Sequence, residues 1–84
     1  MFAVLLNKAA LKQLARIPDE YRERIRAALR SLATDPFAGK KLEGRYGGRY
    51  TLRVWPYRII YTIEKKVLLV TVVAVGHRQG VYNA

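Results

Sequence analysis

The hydrophobic period changes once along this chain, and that change limits the folds open to it. From Lys8 to Leu32 the apolar residues recur at helical spacing, whereas after Tyr50 the period is two. Three successive strands are expected, Arg49 to Trp55, Tyr57 to Lys65 and Val67 to Val75, with turns at Trp55-Pro56 and Glu64-Lys65-Lys66. Connections this short favour antiparallel neighbours. The third run is almost continuously apolar, which suits a central strand covered on both sides.

Upstream, Phe2 to Leu6 reads as a first strand that ends at Asn7, a good helix cap. Leu11, Leu14 and Ala15 then predict a short helix over Lys8 to Arg16, interrupted by Pro18. Asp19 is expected to cap a second, longer helix. Its stripe is Tyr21, Ile25, Ala28, Leu29 and Leu32, with Arg22, Arg24, Arg26 and Arg30 outside it. Asp35-Pro36 stops that helix, and a glycine-containing loop follows in which Lys40-Lys41-Leu42-Glu43 forms a short edge strand. The expected fold is α+β: an N-terminal strand, a two-helix hairpin, then an antiparallel three- to four-stranded meander with the helices on one sheet face. All 84 residues belong to a single domain, 1–84.

Alternation in the first meander strand sends Tyr50, Leu52 and Val54 toward the helices and Arg49, Thr51, Arg53 and Trp55 to the open face. Arg58 opens the next strand and Arg78 follows the last, so further guanidinium groups are expected near the same patch. Fixed cations on a rigid sheet suit a phosphate ligand. Lys and Arg total 16 against 6 Asp and Glu, a net charge of +10, which points to an anionic partner, nucleic acid first. The absence of cysteine excludes disulfides, thiolate zinc sites and a cysteine nucleophile. A single histidine argues against a metal site. No basic segment precedes the short apolar run at the start, and no apolar run is long enough to span a bilayer, so a cytoplasmic location without membrane association is expected.

The order of elements, with Lys41-Leu42-Glu43-Gly44, Tyr50-Thr-Leu-Arg53-Val, Tyr57-Arg58-Ile-Ile-Tyr61 and Val75-Gly76-His77-Arg78 followed by Tyr82, resembles the RelE/ParE superfamily of toxins from type II toxin–antitoxin modules. The resemblance covers almost the whole chain. On the RelE side it implies a metal-independent, cofactor-free endoribonuclease that cuts messenger RNA in the ribosomal A site by attack of a 2′-hydroxyl on the adjacent phosphate. On the ParE side it implies a gyrase inhibitor, and a degenerate member would be a basic binding module. The partners implied are an acidic antitoxin, messenger RNA and ribosomal RNA, with operator DNA reached only through the antitoxin complex.

Carried onto this sequence, the resemblance assigns Arg53 and Arg58 to the scissile phosphate and Arg78 to charge stabilisation near the leaving group. Tyr82 is implied to stack on a base and to act as general base. Histidine is the usual acid–base side chain near neutral pH, so His77, expected on the same face as the arginines, is a second acid–base candidate, or else it satisfies a turn after Gly76. Arg49, Trp55 and Lys41 are candidate substrate contacts, Trp55 either by stacking on a base or by closing the end of the core. Thr51 stands where family members carry a lysine, so one cation of the usual set is missing.

Overall fold

In the computed structural model, which describes residues 1–44 and 47–77, Asn7 ends one element and starts the next. Its side-chain oxygen accepts a hydrogen bond from the Ala10 amide at 2.8 Å, capping α1 (Lys8–Ala15) directly after β1 (Ala3–Leu6). Pro18 then occupies the cap position of α2 (Asp19–Leu32), with its carbonyl accepting from the amides of Tyr21 and Arg22 at 3.0 and 2.9 Å. Asp19, expected as the cap, is instead the first helical residue. Together with Glu20 it complements the positive end of the helix dipole. Two of the helical arginines are paired locally, Arg22 with Asp19 and Arg26 with Glu23.

A short 3-10 turn, Pro36–Ala38, leads into β2 (Lys40–Lys41), and β3 (Tyr50–Val54), β4 (Tyr57–Glu64) and β5 (Leu69–His77) complete one sheet in the order β1-β5-β4-β3-β2. The β3–β4 hairpin turns through a cis Trp55–Pro56 peptide. The expected meander is present, and β1 extends it to five strands by pairing parallel with β5, Ala3 opposite Leu69 through Leu6 opposite Val72. β5 starts and ends two residues later than expected. Lys65–Val67 forms a 3-10 turn and Leu68 adopts a left-handed conformation, φ 51°, so Val67 and Leu68 stay exposed outside the strand.

The helices bury Ala10, Leu14, Ile17, Ile25, Leu29 and Leu32 against Ile59, Tyr61, Val70, Val72 and Val75 of the sheet. The opposite face carries a small apolar cluster among the described residues, Ile60 and Ala74 with Leu42 and Val73 against them. Between the β4 positions Ile60 and Tyr61 the register jumps: Ile60 faces Ala74 but Tyr61 faces Val72. Val73 is therefore an extra residue, and this bulge inverts the alternation of β5 beyond it. Gln13 of α1 accepts a hydrogen bond from the Val75 amide at 2.7 Å, past the point where β1 has ended.

Tyr61 ties the sheet to the segment that delivers β2. Its ring is fully buried, and its hydroxyl donates to the Pro36 carbonyl at 2.8 Å while accepting from the Gly39 amide at 3.0 Å. Burial raises the Tyr61 pKa above its usual value of 10.0, partly offset by the Gly39 hydrogen bond. The folded state thus holds this proton more tightly than the unfolded chain. The stabilisation is complete below about pH 10 and is lost as pH rises through the folded value. Denaturant titrations from pH 8 upward should show stability falling above pH 10. Tyr61→Phe should flatten that fall, while lowering stability at pH 8 by about 1–3 kcal/mol through two unpaired backbone groups. Equal slopes for the two proteins would refute the assignment.

Candidate functional site

Strand register brings the chemically active side chains together on the face away from the helices. Lys40 of β2 pairs with Thr51 of β3, Arg53 of β3 pairs with Arg58 of β4, and Arg58 in turn pairs with Gly76 of β5. Directly opposed residues project to the same side of a sheet. Lys40, Thr51, Arg53 and Arg58, together with Ala38, Gly39 and Leu52, line an open cavity of about 340 Å³. Gly76 leaves the position beside Arg58 without a side chain.

Placing Arg53 opposite Arg58 is unfavourable in an empty sheet, because like charges directly opposed repel by a few tenths of a kcal/mol up to about 1 kcal/mol. Among the described residues no carboxylate pairs with either arginine or with Lys40. An anion in the cavity relieves that repulsion, and two guanidinium forks present several N–H donors to its oxygens. The floor holds a second unusual feature. Thr51 is 4% exposed, and its hydroxyl is buried with no hydrogen-bond partner among the described residues.

Not every residue expected at this site is here. Lys41 pairs with Tyr50, whose ring stacks on Tyr61 at 5.6 Å in the helix-side core, so it lies on the other face. Lys40, its neighbour, takes the cavity position. His77 pairs with Tyr57, and the two rings meet edge-on at 6.1 Å on the side where Tyr57 touches Tyr21 of α2. The expectation that His77 shares the arginine face is therefore corrected. The cause is the bulge at Val73: uninterrupted alternation from Val72 would have sent His77 to the open face and Gly76 to the core. Trp55 sits at the hairpin tip, 55% exposed, two residues beyond Arg53. Arg49 is exposed immediately before β3, its carbonyl accepting from the Leu42 amide at 2.8 Å. Arg78 and Tyr82 lie outside the described residues.

Two helices on one face of a small mixed sheet, with a cationic cavity on the other, define a class of protein, the RelE/ParE superfamily of type II toxins. The family model described as "ParE toxin of type II toxin-antitoxin system, parDE" matches residues 4–82, and the chain belongs to that family. Among solved structures it is similar to a chain of the RelBE2 toxin–antitoxin complex of Mycobacterium tuberculosis, with a TM-score of 0.86, 24% identity, and coverage of 92% of this chain and 98% of that one. It is also similar to a chain of the intact Escherichia coli RelBE toxin–antitoxin complex, with a TM-score of 0.78, 26% identity and coverage of 92% and 96%. A third similar structure is the YoeB/ParE toxin of Agrobacterium tumefaciens, with a TM-score of 0.79, 19% identity and coverage of 93% and 99%. No curated protein matches the chain by sequence. Among the described residues no helix is long and apolar enough to cross a membrane.

Proposed function

We propose that this toxin is a metal-independent endoribonuclease that cuts messenger RNA on the ribosome. The observation that carries the reading is the Arg53–Arg58 pair on one cavity, a cation arrangement that no carboxylate among the described residues neutralises and that fits a phosphodiester. In the reaction the 2′-hydroxyl oxygen attacks the adjacent phosphorus and gives up its proton to a base. A 2′,3′-cyclic phosphate forms, the bond from phosphorus to the 5′-oxygen breaks, and that oxygen leaves as a hydroxyl after taking up a proton. Charge accumulates on the phosphorane oxygens, where Arg53 and Arg58 stabilise it. With His77 on the helix side, the base role in this reading passes to Tyr82. A phenol of ordinary pKa about 10 serves as a base near neutrality only when cations make it more acidic. Arg78 stabilises the leaving oxygen electrostatically, since a guanidinium is a poor proton donor at neutral pH.

The partner in this reading is an acidic antitoxin. Several structurally similar toxins were solved in complex with theirs, and this chain carries an apolar groove between β1, α1 and α2 with Arg26 and Arg30 at its rim. One observation favours a second function: the matching family model is the ParE toxin of parDE, which suits gyrase inhibition as the resemblance implies it. Primer extension on a defined message, in a reconstituted translation system with and without ribosomes, separates the two when run beside a gyrase supercoiling assay. Cuts within codons that require ribosomes are expected. Absence of cuts together with blocked supercoiling would replace the nuclease reading by the gyrase one.

A further inference from the structure

Thr51 leaves a question of chemistry: it lines the cationic cavity with a buried hydroxyl that has no hydrogen-bond partner among the described residues. Both halves of the answer lie in the same cavity. Lys40 stands directly across from Thr51 on β2 and projects to the same face, although it is distant in sequence from the strands that carry the arginines. The row Lys40–Thr51 lies beside the row Arg53–Arg58, roughly 7 Å along β3 at two residues per same-face step. All four residues line the 340 Å³ cavity.

From this we propose that Lys40 and Thr51 complete the anion site: the Lys40 ammonium supplies the third cation, and the Thr51 hydroxyl donates a hydrogen bond to a non-bridging oxygen of the bound phosphodiester. The inference rests on the reading that the cavity takes a phosphodiester. It is independent of whether the ribosome delivers one. A buried hydroxyl without a partner is unfavourable in the empty protein, because it has lost its hydrogen bonds to water and gained none. A ligand oxygen in the cavity removes that penalty. Lys40, exposed on the neighbouring strand, brings the charge to the same face.

Lys40 is held there by a specific local device. Gly39 approaches so closely that a Cβ built on it would lie 2.4 Å from the Tyr61 hydroxyl and 2.7 Å from the Thr51 carbonyl oxygen. That contact, with the Gly39–Tyr61 hydrogen bond, fixes the register in which Lys40, and not Lys41, faces Thr51.

The test uses a 2′-O-methyl RNA trinucleotide, whose blocked hydroxyl prevents cleavage, titrated into the full chain by calorimetry and by amide chemical shifts. Lys40→Ala should weaken binding about tenfold, as expected for loss of a hydrogen bond to a charged group. Lys12→Ala, which removes the same charge from α1, should change it less than twofold. Thr51→Val should weaken binding severalfold while raising Tm by a few degrees, because the unpaired hydroxyl is gone, and Thr51→Ser should keep most of the affinity. Equal losses for Lys40→Ala and Lys12→Ala would reduce Lys40 to bulk charge and overturn the proposal. A Thr51→Val protein that is more stable yet binds unchanged would overturn it too, as would absence of trinucleotide binding or shifts confined to Arg53 and Arg58. Binding that behaves as expected in a protein that never cleaves messenger RNA would leave this site standing and remove the nuclease reading.

Discussion

On the nuclease reading, Arg58→Ala is expected to lower ribosome-dependent messenger cleavage by about 10²–10³-fold while leaving the fold intact. The activity should fall because Arg58 stands between Arg53 and Gly76 on the cavity face, where that reading puts the charge developing on the phosphorane. The fold should survive because the side chain lies on the open face and its removal ends the repulsion with Arg53. Tm should therefore stay level or rise slightly, so loss of activity and loss of structure separate cleanly. Arg58→Lys retains the charge but not the planar fork, and single-turnover rates should place it between the wild type and the alanine variant. Cleavage within a few-fold of wild type in Arg58→Ala would remove the arginine pair from the chemistry.

Among the described glycines, Gly39 is the one where an added methyl meets the tightest contacts, and Gly39→Ala should lower stability markedly. The new Cβ meets the Tyr61 hydroxyl at 2.4 Å and the Thr51 carbonyl oxygen at 2.7 Å, both closer than atoms can approach. Tyr61 has no room to retreat, since its ring is fully buried and stacked on Tyr50. The turn before β2 must move instead, which breaks both hydrogen bonds of the Tyr61 hydroxyl and draws Lys40 away from Thr51. We expect a loss of about 2–4 kcal/mol, read as a fall in Tm of roughly 10 °C or more. Adding Tyr61→Phe should recover only part of it, because the clash with the Thr51 carbonyl persists. A Gly39→Ala protein that melts within two degrees of wild type would show that the turn is plastic.

The elements whose causes are local were legible in the sequence. Asn7 caps a helix by a hydrogen bond three residues away, Pro18 breaks one, and Trp55-Pro56 turns a hairpin; each acts within a few residues of itself. The arginine pair was legible for the same reason, since a two-residue turn fixes the register of Arg53 against Arg58. What the sequence left open or misplaced depends on distant contacts. β1 pairs with β5 across more than sixty residues, and nothing in Ala-Val-Leu-Leu names its partner. Val73 and Ala74 are adjacent small apolar residues, so the bulge between them leaves no trace in a hydrophobic pattern, yet it decides which face His77 occupies. Lys40 and Lys41 are chemically identical, and only the Gly39–Tyr61 contact chooses between them.

The opposed arginines bear on how this protein can be engineered. Selection for thermal stability alone, by consensus design or by screening for higher Tm, favours removal of any interaction that opposes folding. Here the first residue pair so removed would be Arg53 with Arg58. A hardened variant obtained in that way would be expected to keep its two helices and five strands and to lose its appetite for phosphate. Stability screens on this scaffold therefore need a ligand in the tube.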